Sequence, residues 1–322
     1  MNWRQFGRLV QSLRQALSAD LGHPVRQADL ERECGFQEHT GLIGRIERGE
    51  IRCMKPEILL PLANALHLTR WERREFFLAG TGIETDQIYI GAPDLSPEEE
   101  LARLEDRLAR ILLPAFIVDP FGDIVAVNRM MQFVYEVSPK DIEAVQRGAL
   151  LPNVLYLAFS SRFRLFERLA TSSSRPWNEV LLSMVKNVRW TSLQYRTTRY
   201  WEYLFDALWN APDRGMAERF RRYWKMASAA SGVDGNFTRI YQVQHSRLGL
   251  LEFLAAVVEE ITGAGPLYVV VYLPLSSGTQ KAFETFSQFM QSTERPVVRL
   301  ARWPLEVKEQ WVRAQRRRPR FF

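Results

Sequence analysis

The residues best placed to do chemistry in this 322-residue chain are a run of small and polar side chains near its start. His39, Thr40, Gly41, Gly44 and Arg45 fall on the outward side of a short segment whose inward residues are Leu42 or Ile43, with Ile46. Side chains of this kind can approach base edges in a DNA major groove. The short helix before them, over residues 26–34, offers an N-terminus whose free N–H groups and dipole suit a phosphate. Bond-breaking chemistry finds no comparable pattern. The chain has no GxSxG elbow, no Walker loop, no GxGxxG after a strand and no His–carboxylate metal spacing. Cys34 and Cys53 lack ligand spacing, and histidines only at 23, 39, 67 and 245 argue against zinc. GAG at 263–265 reads as a turn and SSS at 172–174 as a solvated loop. The expectation is a protein that is not an enzyme and needs no cofactor.

A second set of residues is apolar. Phe116 and Val118 share one strand face, and Val125 and Val127 alternate on the next strand. Met131, Phe133 and Val134 follow on a helix, and Leu155, Phe159, Phe163 and Phe166 recur at helical spacing. Such residues either line a cavity of ligand size or fill one another's space, and both readings stand. A carboxylate head group in the cavity would need a cation, and Arg162, Arg164 and His245 are candidates by position. His245 is the one histidine beyond the N-terminal region, which argues against haem; flavin or peptide binding stays open.

The elements that must hold these residues come next. Trp3 to Leu17 places Phe6, Leu9, Val10, Leu13, Ala16 and Leu17 on one helical face. After the 26–34 helix and the outward segment, a helix begins near Pro56, where Pro61 predicts a kink or late start. A last short helix covers Arg70 to Leu78, completing a five-helix module of helix-turn-helix size. Residues 81–96 read as a linker, and Ser96-Pro97 opens a helix over 97–112. LPAFIVD-PFGD-IVAVN then predicts a hairpin, followed by the helix RMMQFVYEV and helical stretches over about 150–230. Strands return at 238–244, 248–258 and 267–275. Tyr200, Trp201, Tyr203, Leu204, Phe205, Leu208 and Trp209 cover more than one helical face, so that helix is deeply buried or shared with a second copy.

Several motifs carry a family resemblance. LRQAL at 13–17, Gln27 followed by ADL, IGRIERGE at 43–50 and PEILLPLANALHLT at 56–69 resemble the XRE family of repressor-like regulators over residues 5–80. The resemblance implies a structural role for Glu47 and DNA contacts from Gln27, Thr40 and Arg45. Arg26, beside Gln27, and the outward His39 and Gly41 complete the candidate DNA-binding set. Two departures stand out: the bend over Gly35 to Thr40 is about two residues longer than is usual in the family, and Gly41 and Gly44 each weaken a helix by ~1 kcal/mol relative to Ala. LPAFIVDPFGDIVAVNRMM at 113–131 resembles the opening of a PAS domain, with Asn128 closing the second strand. NVLYLAFSSRFR at 153–164 and FRRYW at 220–224 further resemble the ligand-binding domain of MmyB-like regulators. The fold this implies is multidomain. An all-α helix-turn-helix domain (1–80) and a linker with a connecting helix (81–105) precede an α+β PAS-like sensor domain with an antiparallel sheet (106–300). A basic tail (301–322) ends the chain.

That resemblance implies a fatty acid or other apolar small molecule as effector; the spacing and position of the residues make Phe116, Val118, Val127, Met131, Phe133, Leu155, Phe159, Phe163 and Arg162 its candidate contacts. It also implies double-stranded operator DNA as partner, bound by a homodimer as two-fold half-sites require. The competing class is an interaction or scaffold protein whose helix-turn-helix no longer reads DNA. Charge sharpens the choice. Residues 1–90 hold 12 basic and 12 acidic residues, whereas residues 299–322 hold eight basic against two acidic and account for the whole formal +6. DNA affinity must then come from a few placed residues. The arginine-rich end reads as a solvated terminus or as a contact for phosphate or an anionic surface. No run approaches the ~20 apolar residues that span a bilayer, and the charged N-terminus lacks a signal-peptide core, so the expected location is the cytoplasm without membrane insertion.

Overall fold

The computed structural model describes residues 2–37, 40–52, 54–81, 95–148, 150–161, 177–229, 240–290 and 297–317. The chain forms two compact units that do not follow chain order: residues 1–91, 185–205 and 221–236 in one, and 92–184, 206–220 and 237–322 in the other.

In the first unit α1 (Trp3–Leu21) starts on a capping box in which Asn2 and Gln5 each bond the other's backbone N–H. It runs one turn past the expected end and stops at Gly22 in the left-handed region. The short helices α2 (Gln27–Glu33) and α3 (Leu42–Glu47) follow, then α4 (Pro56–Ala65) and α5 (Arg70–Thr81). Phe6, Leu9, Ile43, Ile46, Leu62 and Phe76 meet in one core, each burial stabilising by roughly 1.5–3 kcal/mol. Gly7 permits the closest approach: a Cβ there would lie 2.4 Å from the Ile46 carbonyl oxygen. Two expectations are corrected. α4 begins at Pro56 with no late start and continues past Pro61, which forgoes the one helical bond its N–H would have made to the Glu57 carbonyl. Ala16, expected inward, is exposed. Leu193, in a 3-10 turn over Leu193–Tyr195, belongs to this same core.

The second unit is built on α6 (Pro97–Arg110), β1 (Ala115–Val118) and β2 (Ile124–Asn128), followed by α7 (Arg129–Val134), α8 (Pro139–Gln146) and α9 (Val154–Phe159). Three helices have residues in both units: α10 (Trp177–Thr191), α11 (Arg199–Trp209) and α12 (Arg214–Ala229). Then come β3 (Ile240–His245), β4 (Gly249–Thr262), β5 (Gly265–Pro274), α13 (Ser277–Met290), β6 (Val297–Arg299) and α14 (Leu305–Arg317). The six strands form one antiparallel sheet in the order β3-β4-β5-β1-β2-β6. The expected hairpin over 113–128 and the three later strands are present, while α13, β6 and α14 are additional to the sequence reading. Leu101, Leu104 and Leu108 of α6 pack with Ala115, Ile117 and Ala126. The opposite face is aromatic, and Asn128 joins the two. Its side-chain oxygen accepts from Ala115 N and Met131 N, and its amide donates to the carbonyls of Ile111 and Leu113.

Residues 305–317 are not the solvated segment the composition suggested. Val312 and Lys308 on α14 are fully buried, because the helix is amphipathic and lays that stripe on the second unit. Arg299 pairs with Glu98 and Glu105 of α6, and Arg302 lies 4.9 Å over the Trp311 ring. Part of the basic excess is therefore internal structure. Residues 318–322 lie outside the described residues, as do Cys53, the 82–94 part of the linker and the serines at 172–174.

Candidate functional site

In the first unit, the candidate DNA-binding residues are organised by a buried carboxylate. Glu47 accepts from Arg14 at 2.7 and 3.0 Å and from the Gln27 side-chain amide at 2.6 Å. Gln27, first residue of α2, is thereby fixed against α3. Glu31 does a related job, accepting the Ile43 N–H at 2.8 Å and so satisfying a free donor at the start of α3. Arg26 caps α2 and is exposed, as are Thr40, Gly41 and Arg45. Gly41 is not a weak point within the helix. It precedes α3 at φ 60°, a conformation that glycine adopts without strain. Gly44, expected outward, is buried, and a Cβ there would sit 3.1 Å from the Gln27 amide oxygen. Arg45 and Arg48 both face Glu50, at 3.8 and 2.6 Å. His39 lies outside the described residues.

In the second unit the candidate effector residues divide into groups. Phe116 stands opposite Val127 on β2 and Val270 on β5, and its ring meets Tyr272 edge-on at 6.0 Å. Tyr272 stacks on Phe253 at 4.1 Å and on Tyr241 at 5.9 Å, and shares a 2.8 Å hydroxyl contact with Tyr135. Burial, foremost, raises both phenols of that pair, so each stays protonated. Val118 and Met131 are buried on β1 and α7. Phe133 lies against Phe286 and 4.6 Å from His245. His245 is occupied: Nδ1 accepts from the Arg247 and Leu248 N–H groups, which leaves the proton on Nε2 to donate to the Phe133 carbonyl. Leu155 and Phe159 are buried on α9, where Phe159 packs on Phe220 rather than on the Phe116 group. Arg162, Phe163, Arg164 and Phe166 lie outside the described residues.

The aromatic helix α11 buries Tyr200, Trp201, Leu204 and Leu208 within the chain. Trp201 and Phe205 pack with Trp224, the last residue of FRRYW.

Sequence reasoning missed two charge clusters. In the first unit Glu72, with no exposure, accepts from Arg196 at 2.6 Å and lies 3.3 Å from Arg189. It also accepts the Thr69 N–H, the TxxE signature of a capping box and the one local signal that could have singled it out. Burial alone would raise its carboxyl, but the two guanidinium groups hold it at about 2. In the second unit Lys308 pairs with Asp119 and Asp123 in the hairpin turn, and Asn153 donates to Asp123 at 2.8 Å. Here burial wins. Lys308 opposes it and Asp123 reinforces it, and Asp119 rises to about 6.

Among the described residues no group of His, Cys, Asp and Glu is arranged to hold a metal ion, and no helix is long and apolar enough to cross a membrane. Residues 99–285 match the family model of the MmyB-like transcription regulator ligand binding domain, more than half of the chain. No curated protein matches it.

Proposed function

Because this chain belongs to the MmyB-like transcription regulator ligand binding domain family, we propose that it is a ligand-responsive transcription regulator acting in the cytoplasm. The ligand-binding-domain match over residues 99–285, preceded by five helices among the described residues up to Thr81, is the observation that carries this reading. The N-terminal helices act as an XRE-type helix-turn-helix. Glu47 anchors Gln27 and Arg14, and Arg26, Gln27, Thr40, Gly41 and Arg45 approach operator DNA together with His39. The module is charge-neutral, so a few placed contacts supply affinity in place of a broad positive field.

The second unit acts as a PAS-like sensor for a small apolar effector such as a fatty acid. Phe116, Val118, Val127, Met131 and Phe133 approach it from the sheet and α7, and Leu155 and Phe159 from α9; Phe163 and Arg162 complete the set. A homodimer presents two reading modules to two half-sites. The effector shifts DNA binding only by as much as its affinity differs between two arrangements of the dimer.

A mobility-shift titration with DNA from upstream of the protein's own gene, at about 150 mM salt, tests the first half. Binding clearly tighter than to random sequence is expected. Equal affinity for both sinks the regulator reading in favour of an interaction protein, a reading supported by Glu50 facing Arg45 and by the shortness of α3. Native mass spectrometry of protein purified from its host tests the effector. A co-purifying apolar acid is expected, and a bound flavin would overturn it.

A further inference from the structure

Within the first unit a cleft of about 900 Å³ opens beside α1, the size of a small-molecule site. Leu13 and Leu17 of α1, with Leu66 and Leu68, make an apolar floor. Trp201, Phe205 and Trp224 line the other side. Arg189 and Arg196 reach this cleft with 6% and 5% of their side chains exposed.

These two guanidinium groups share one carboxylate, Glu72, so the cluster carries one positive charge more than its partner. Their hydrogen bonds run through Arg196 Nη2, to Glu72 and the Arg189 carbonyl, and through Arg189 Nη1, to the Trp224 carbonyl. Arg196 Nε–H has no hydrogen-bond partner, and Arg189 Nε faces Glu72 Oε1 at 3.3 Å without hydrogen-bond geometry. A buried charged donor left in that state is costly, and an anion would satisfy it. The planes nearby are aromatic: Arg189 lies 4.7 Å over Trp224, and Arg196 5.9 Å from the Trp201 ring. Burial lowers Arg196 to about 10, Arg189 adds to that, and Glu72 and the more distant Asp20 oppose it. At the mouth, exposed Arg8 and Lys225 stand with exposed Glu202 and half-buried Asp20, where water screens all four. The uncompensated charge is at depth.

We propose that this cleft binds a small organic anion, a single carboxylate on a flat apolar body, with the carboxylate on Arg189 and Arg196 and the body against Trp201, Phe205 and Trp224. One excess positive charge calls for one negative charge, and the ring faces suit a planar body. The site is distinct from the aromatic sheet face, so it stands or falls independently of the effector reading.

Calorimetric titration of the full chain with 2-naphthoate and its neutral isostere 2-naphthamide is the test. The acid is expected to bind at least about tenfold tighter than the amide. Ala16→Trp, which fills the cleft from an exposed position on α1, is expected to weaken 2-naphthoate about tenfold or more without lowering the melting temperature. Arg196→Gln should erase the preference for the acid; where that variant does not fold, Ala16→Trp decides. Equal binding of acid and amide, no saturable binding of the acid up to about 1 mM, or unchanged binding by Ala16→Trp overturns the proposal.

Discussion

The two buried charge clusters are mirror images in stoichiometry. In the first unit one carboxylate, Glu72, serves two arginines; in the second, one lysine, Lys308, serves two aspartates. Each ties together segments far apart in the chain, and each leaves one charge in excess. The difference lies in which group can yield. A guanidinium keeps its proton through the neutral and acidic range, even at Arg196, which burial lowers to about 10, so the excess at Glu72 stays positive there. A carboxylate can take up a proton, and the excess at Lys308 is relieved that way, with Asp119 at about 6. One cluster is a permanent cation that a ligand can answer; the other can neutralise itself.

Lys308→Met gives the largest expected loss of stability, about 3–5 kcal/mol in urea unfolding at pH 8, since it leaves two carboxylates buried without a cation. That loss should shrink markedly at pH 5 as Asp119, already raised to about 6 by burial, takes up a proton. Equal losses at both pH values would end the contrast between the clusters. Glu72→Gln follows, at about 3 kcal/mol, from two arginines without a counter-charge. Here the loss should hold steady between pH 5 and 8, because Arg196, at about 10, keeps its charge across that range.

The unaltered protein should show opposite pH responses in its two units. Glu72 is depressed below its ordinary 4.5, so its contribution is complete above 4.5 and is lost as pH falls towards 2. Asp119 is raised above its ordinary 3.8, so ionising it costs stability, and the hairpin should gain stability as pH falls through about 6. Amide exchange by mass spectrometry, corrected for intrinsic rates, reads both; parallel responses would contradict the assignment. Smaller effects are expected at the DNA-facing helices. Arg14→Leu frees Glu47 and should cost about 1–3 kcal/mol. Arg45→Ala, at an exposed position, should change stability by less than about 0.5 kcal/mol. It should nevertheless weaken operator binding, and a mobility shift unaltered by Arg45→Ala would remove that residue from the reading face.

Much of the fold was legible because it is local. Apolar spacing predicted α1, α2 and the hairpin, and Ser96 with Glu99 marked the start of α6 through a capping box that the structure contains. The misreadings also have physical causes. Pro61 forfeits a helical bond, but Leu59 and Leu62 on either side of it are buried in the core and hold α4 together, and Gly44 is buried because Gln27 crosses above it. The basic end was read from composition, which counts arginines without asking what they face. Spacing placed the apolar candidates on their elements, but it could not tell that Phe116 would meet Tyr272 while Phe159 would meet Phe220.

What the sequence by itself determined is therefore periodic: helices, strands, turns and the motifs riding on them, all set by interactions within a few residues. What only the tertiary structure decided is which charges meet. Glu72 and Arg196 are 124 residues apart, and Lys308 and Asp123 185. With 43 basic and 37 acidic residues, the linear chain leaves those partnerships open. Coulomb attraction and desolvation depend on distance and burial in space, and neither exists until the chain has folded.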